Sequence, residues 1–271
     1  IQVTVPQRDR GGGAARGTSR PVLAEGHVRF VGEAVAIVVA RSLREARDAA
    51  ERVAIEYEAL PQVTDARAAL APDAPAVRED APGNLALEWE GGDRQATDAA
   101  FARAAHVTRV ELLVNRVSAA PIEPRGAAGG YHAASGRYTL HAPTQGSKAI
   151  QVDIASTGLV ADPNALRVLT PDVGGSFGLK ISAYPEQVAV LFAAKKLGRP
   201  VKWYADRSEA FLADGAGRDL AMAGELALDS EGRFLAVRAR VAANTGAFTT
   251  ASAISIPTSG GMRCITGVYT L

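Results

Sequence analysis

Apolar residues recur along this chain in two rhythms. Alternating or short continuous apolar runs predict strands, and repeats every three to four residues predict helices. Val28 to Ala40 is a long apolar run that predicts a strand, bent at Gly32. Ser42-Leu43-Arg44-Glu45 is a capping box opening a helix through Arg52, with Leu43, Ala46, Ala50 and Val53 on one face. Ala54 to Glu58 returns as a strand with Ile55 and Tyr57 on one side. Asp93 can cap a helix reaching Ala105, and Val107 to Val114 is a strand. Gly130–His132 and Tyr138–His141 flank residues 134–137 as a hairpin. Ser147 to Leu159 predicts a helix, opened by Thr144 or Ser147 and ending near Gly158. Leu166 to Thr170 is a strand. A helix then begins near Tyr184 with Pro185 in its first turn, carries Val188, Leu191, Phe192 and Lys195, and stops at Gly198 with Pro200 beyond. Val201–Tyr204 is a further strand. Residues 219–229 and 233–243 form two more, joined by Asp229-Ser230-Glu231-Gly232. Helices alternate with strands, yet hairpins are present too, which argues α+β or mixed α/β rather than a doubly wound parallel sheet.

Between these elements the pattern breaks. Residues 6–20 read as a loop, with Gly11–Gly13 a flexible connector. Pro61 to Pro82 holds four prolines and reads as a linker between domains. Residues 251–271 have no clear period and end in a strand-like Val268–Leu271. At 271 residues the chain suggests one large or two modest domains with a real core. A net charge of +1, with cations scattered, gives no field to draw nucleic acid or an anionic membrane. No apolar run is long enough to span a bilayer and Ile1–Pro6 is no signal peptide, so a cytoplasmic location is expected. Lacking a starting Met, the chain reads as cut or taken from an interior point of a longer one. The single cysteine, Cys264, excludes an internal disulfide and an all-Cys metal site and reads as a small buried or interfacial residue.

The candidate chemistry centres on Pro171-Asp172-Val173-Gly174-Gly175-Ser176-Phe177-Gly178-Leu179-Lys180, between a strand and a helix. Three glycines in five residues permit positive φ and close approach, and successive N–H groups can line an anion site. The spacing is neither a P-loop nor a dinucleotide turn, so a structural strand-to-helix turn and an anion or cofactor site both stand. Phe177 either plugs the core or faces whatever the glycines approach. Glu123 and Arg125, between prolines in an extended stretch, are expected to project the same way as an internal clamp or ion pair. Gln145 precedes a helix, where its amide could cap locally or meet a ligand. Of the four histidines only His132 and His141 could meet, across the hairpin, and no third metal ligand stands at useful spacing. Glu56/Glu58 and Glu88/Glu90 read as solvent-facing strand positions, and no Gly-x-Ser-x-Gly elbow occurs.

Taken in order, Glu-Pro-Arg-Gly at 123–126, Thr144-Gln145, the turn at 171–180 and Leu197-Gly198-Arg199-Pro200-Val201-Lys202-Trp203-Tyr204-Ala205-Asp206-Arg207 resemble the molybdenum-binding large subunit of the xanthine dehydrogenase/aldehyde oxidase family. The likeness is greatest to the carbon monoxide dehydrogenase-type branch. It implies an α+β chain with mixed sheets and flanking helices. Residues 1–65 would be the C-terminal part of an α/β hammerhead domain, 66–84 a linker, and 85–271 the first part of the molybdopterin-binding domain. It implies oxidation of a small organic substrate or carbon monoxide with oxygen from water. Molybdenum on a pyranopterin, as a cytosine dinucleotide, would supply the chemistry. Gln145, Gly174, Gly175, Ser176, Phe177 and Gly178 would face that cofactor. Electrons would pass to iron–sulfur and FAD subunits, and a further chain could carry the missing C-terminal half. Two departures stand out: Ser176 occupies the third glycine position, and Ile181 replaces the Glu of purine-oxidising members. The family's catalytic Glu is expected beyond Leu271, so this chain alone is expected to lack cofactor and activity. Two other readings remain open, a scaffold or assembly domain that keeps the fold and a phosphate-binding enzyme using the turn with Lys180.

Overall fold

A computed structural model describes residues 2–4, 15–17, 19–261 and 264–269. Strands β1 (Gln2–Thr4) and β2 (Ser19–Pro21) pair antiparallel, and helix α1 covers Leu43–Ala50. There follow α2 (Ala66–Ala69), α3 (Arg94–Ala102), β3 (His106–Val117), β4 (Gly126–His132), β5 (Arg137–His141) and α4 (Ser147–Ser156). Next are β6 (Leu166–Leu169), α5 (Pro185–Leu197), β7 (Val201–Tyr204) and α6 (Arg207–Ala213). Last come β8 (Gly217–Leu228), β9 (Phe234–Ala243) and α7 (Ala251–Ser255). No helix among the described residues is long and apolar enough to cross a membrane.

The chain divides into two compact units, each discontinuous in sequence. One holds residues 19–60 and 118–216 together with β1. Its sheet has the order β6-β5-β4-β7, with β5 and β6 parallel and the other pairs antiparallel. A parallel pair cannot be joined by a tight hairpin, and α4 makes the crossover between β5 and β6. Helix α5 is apolar on most of its circumference and is correspondingly buried, with Val188, Val190, Leu191 and Ala194 inside. It lies against β4 at Gly129, where an added methyl would stand 3.0 Å from the backbone of Val190 and Leu191. Leu140, Ile150, Ile154, Val160 and Leu166 complete this core.

The second unit holds residues 61–117 and the described part of 217–269, together with 15–17. Its antiparallel sheet β3-β8-β9 packs α3 over Ala100, Ala227 and Ala236. Asp93 caps α3 through the Ala96 N–H. The β8–β9 turn is set by Asp229, whose Oδ1 accepts from the N–H groups of Glu231 and Arg233. The proline-rich stretch before α3 is pinned by Asn84, which accepts from the Val77 N–H and donates to the carbonyls of Ala69 and Pro75.

Several expectations are corrected. Residues 28–40 and 54–58 form no strand, and Val28, Val31, Ile37, Ile55 and Tyr57 are exposed. A strand needs a partner for its backbone groups, and among the described residues no strand runs beside these segments, the Ala24 N–H to Ala34 carbonyl bond being an isolated contact. Helix α1 between them does form behind its predicted capping box of Ser42 and Glu45, because a helix satisfies its own backbone. None of its residues is buried. The cap of α4 is Gly146, with neither Thr144 nor Ser147 serving. Of the strand-like end expected at Val268–Leu271, Val268 closes a turn instead and Tyr269 sets its ring 5.3 Å from Phe234. Residues 270 and 271, like Gly11–Gly13, lie outside the described residues.

Candidate functional site

The sheet topology of the first unit gathers four loops at one end. Parallel β5 and β6 both run out there, into Ala142–Gln145 and Thr170–Lys180. Antiparallel β4 starts there, just after Pro121–Arg125, and β7 ends there, because Gly126 pairs with Tyr204. Ligands of such sheets commonly sit beyond the carboxyl ends of parallel strands, where adjacent loops leave a crevice. Cross-links hold the loops together. The Arg207 guanidinium donates to the carbonyls of Pro121 and Ile122, the Gln145 N–H donates to the Lys180 carbonyl, and the Thr144 and Thr170 hydroxyls lie 2.7 Å apart.

Glu123 fixes both ends of the glycine-rich turn. Its Oε2 accepts from the Gly174 N–H at 2.9 Å and from Lys180 Nζ at 2.8 Å. Its carbonyl accepts from the same ammonium at 2.9 Å, and its own N–H donates to the Gly174 carbonyl at 3.1 Å. The Lys180 side chain is 1% exposed and that of Glu123 29%. Partial burial pushes the Glu123 carboxyl upward. The hydrogen bonds from Lys180 and the Gly174 N–H, with the Lys180 charge, outweigh burial and hold it below the usual carboxylate range. Gly174 has a specific reason to be glycine, since an added methyl would stand 2.6 Å from Glu123 Cβ.

Between those pinned ends the backbone is unusual. Gly175 and Gly178 have φ of 97° and 93°, and Phe177 has φ of 55° with 80% of its surface exposed. A left-handed backbone costs a non-glycine residue about 1–2 kcal/mol. Burial of the ring does not repay that cost here. The ring leans toward Gly175, where an added methyl would meet Phe177 Cε2 at 3.3 Å, while one at Gly178 would meet nothing within 4 Å. Ser176 points the other way. Its buried hydroxyl accepts from the Lys180 N–H at 2.9 Å and donates to Gln145 Oε1 at 2.6 Å. That bond orients the exposed Gln145 amide by its oxygen and leaves its Nε2 with no partner among the described residues. Beyond the turn, Asp153 of α4 accepts from the Ala183 N–H.

Arg125 does not pair with Glu123. It turns inward, donating to Glu186 at 2.8 and 3.1 Å and to Asp214 at 2.6 Å, with its guanidinium 3.8 Å from the Tyr184 ring centre. Burial disfavours its charge, but Glu186, Tyr184 and Asp214 overcome this and raise its pKa above the ordinary arginine value. The same burial pushes the Tyr184 phenol up. That hydroxyl donates to the Leu179 carbonyl and accepts from the Gly215 N–H. One buried cluster thus underlies the turn's exit. Sequence reading missed Glu186 and Asp214: a carboxylate in a helix's first turn, as Glu186 is, suits the helix dipole without any buried partner, and Asp214, just past the C-terminal end of α6, stands 89 residues from Arg125.

The reading of Lys180 as a phosphate ligand is corrected, because its ammonium is buried and committed to Glu123. His132 and His141 do not meet, since the register sets them opposite Arg137 and Ala128. Cys264 is exposed. Among the described residues no group of three or more His, Cys, Asp or Glu side chains is placed to hold a metal ion.

Residues 77–271 match the molybdopterin cofactor-binding domain, and residues 2–61 match the aldehyde oxidase and xanthine dehydrogenase a/b hammerhead domain. The chain is 36% identical over 239 residues to the carbon monoxide dehydrogenase large chain of Hydrogenophaga pseudoflava, covering 84% of this chain and 30% of that one. It is 35% identical over 230 residues to the nicotine 6-hydroxylase large subunit of Paenarthrobacter nicotinovorans, covering 84% and 28%. Among solved structures, quinoline 2-oxidoreductase from Pseudomonas putida 86 matches with a TM-score of 0.79 at 36% identity, over 89% of this chain and 30% of that one. The chain therefore spans less than a third of these relatives' length.

Proposed function

Because the chain belongs to the xanthine dehydrogenase/aldehyde oxidase family of molybdopterin-binding large subunits, we propose that it works within a molybdenum hydroxylase and turns Gln145 and the Gly174–Gly178 segment toward the cofactor. The observation that carries this is Phe177, a large apolar residue in a left-handed backbone with its ring in the open, flanked by glycines. Strain of this kind persists where function needs it. The residues fit a flat, oxygen-bearing group. Gly178 offers a surface without a side chain, the Phe177 ring offers an apolar face, and Gln145, tied to Ser176 of the same turn, carries an Nε2 donor with no partner among the described residues.

When bound, the molybdenum cofactor, as a cytosine dinucleotide in this reading, supplies the two-electron and oxygen-transfer chemistry that protein side chains lack. This chain's own part is to position and exclude. The Gln145 amide donates toward an oxygen of the group, and the Phe177 ring keeps water from the face it covers. The substrate in this reading is a small organic molecule or carbon monoxide. Exposed Ile181 offers a purine no hydrogen bond. Iron–sulfur and flavin subunits would receive the electrons. With one cysteine in this sequence, cluster ligands must come from elsewhere.

Metal analysis of the natively purified protein tests the reading, with about one molybdenum per complex expected. Gln145→Ala should lower turnover on the order of 10²-fold, as loss of a positioned donor does, and Phe177→Ala should lower it by letting water onto the covered face, while circular dichroism stays unchanged in both. Normal rates in both variants with molybdenum bound would remove the turn from the site. A folded protein that never carries molybdenum would favour the scaffold reading.

A further inference from the structure

We infer that Glu123 is the positioning residue of the glycine-rich turn, setting the pose of Phe177 by tethering the turn at both ends. The inference rests on the proposed function only in what the turn faces.

Residues 174 and 180 are six apart, yet both hydrogen-bond to Glu123 Oε2, and the Lys180 ammonium also bonds the Glu123 carbonyl. The segment between them is a closed loop with one carboxylate as its clasp. Nothing inside the loop holds Phe177 by burial, for its ring is 80% exposed and its backbone is in the left-handed region. A strained, unburied residue stays in place only when its surroundings over-determine it. Here the surroundings are the clasp, the Ser176 hydroxyl, which accepts from the Lys180 N–H, the Leu179 N–H on the Ser176 carbonyl, and the bonds of Gln145 and Tyr184 to the carbonyls of Lys180 and Leu179. Charge makes the clasp firm, because a hydrogen bond to an ionised partner is about twice as strong as a neutral one. With its side chain 1% exposed, Lys180 has no water to turn to if the carboxylate is lost. Gly174 belongs to the same device, since it lets the Glu123 side chain lie against the turn's backbone. Glu123 does not need to touch the reacting atoms to act. It acts through Phe177.

The charged clasp predicts that Glu123→Gln frees the turn without unfolding the unit. Amide hydrogen exchange, read by mass spectrometry on the natively purified protein, should rise on the order of tenfold in the peptide covering 174–180, as expected for loss of a charge-assisted bond. Peptides from the core of α5 should exchange at the wild-type rate. Gly174→Ala should give the same local signature by sterics, with the carboxylate intact, and decides the matter if Glu123→Gln fails to accumulate. In the molybdenum-loaded enzyme both variants should lower kcat more than they raise KM. Wild-type exchange across 174–180 in either folded variant overturns the inference, whatever happens to turnover. A loosened turn with molybdenum content, kcat and KM unchanged instead overturns the placement of the site, because the turn would then face no substrate or cofactor.

Discussion

Replacing Phe177 by glycine and by alanine separates backbone strain from the work of the ring. Phe177 is 80% exposed, so truncation uncovers little apolar surface. A phenylalanine side chain buries about 200 Å² when fully inside. The remaining fifth is therefore about 40 Å², or about 1 kcal/mol at about 25 cal/mol per Å². Phe177→Ala loses that contact and keeps the Cβ at a φ of 55°, so it should cost about 1 kcal/mol. Phe177→Gly loses the same contact and also relieves the left-handed strain of about 1–2 kcal/mol. Against this, the freer unfolded chain of a glycine costs about 0.4–1 kcal/mol. Glycine should therefore be the more stable of the two variants by about 0.5–1 kcal/mol, the reverse of the order found in helices and strands. Urea titrations followed by tryptophan fluorescence, with Trp203 in the same compact unit, give both values. Both should also fall well short of the about 3–5 kcal/mol typical of a buried aromatic. An alanine variant at least as stable as the glycine variant would show that the backbone at 177 is unstrained. A loss above about 3 kcal/mol in both would show that the ring is packed.

Two further outcomes follow from the ion pairs. Arg125→Leu strands the carboxylates of Glu186 and Asp214, 13% and 4% exposed, and should destabilise the protein by about 3–5 kcal/mol in the same titrations. A loss below about 1 kcal/mol would mean that those carboxylates find water or a proton easily. Glu123 faces Lys180 and has a folded pKa below its ordinary 4.5. Its contribution is thus fully present above that value and is lost as pH falls through the lower, folded pKa. Exchange of the 174–180 peptide, corrected for intrinsic rate, should stay constant from pH 7 to about 5 and rise below about 4. In Glu123→Gln that rise should be absent, and its persistence would assign the transition to another group.

Much of the local structure was legible in the residues. The capping box at Ser42–Glu45, Asp93 before α3, Gly198 after α5 and the Asp229–Gly232 turn each appear where the pattern placed them. The family motifs were legible as well, and with them a hammerhead segment followed by a molybdopterin-binding domain. The strands expected at 28–40 and 54–58 were not settled this way. Their apolar runs are real, but strand formation depends on a second strand, which the run itself does not specify.

The candidate site divides along the same line. Glycines in a short span announce positive φ, and Gly175 and Gly178 adopt it, since only the absence of a Cβ makes that backbone cheap. Which way Phe177 would face, that Gly174 makes room for Glu123, and that Lys180 and Arg125 would choose different carboxylates was left to the folded chain. Their partners lie 51 to 89 residues away along the sequence. They meet because parallel β5 and β6, with β4 and β7 beside them, deliver four loops to one end of a sheet. Backbone preference acts over a few neighbouring residues, so the sequence alone could determine it. Charge pairing and burial depend on distance in space, and only the tertiary fold decided which groups came near enough to interact.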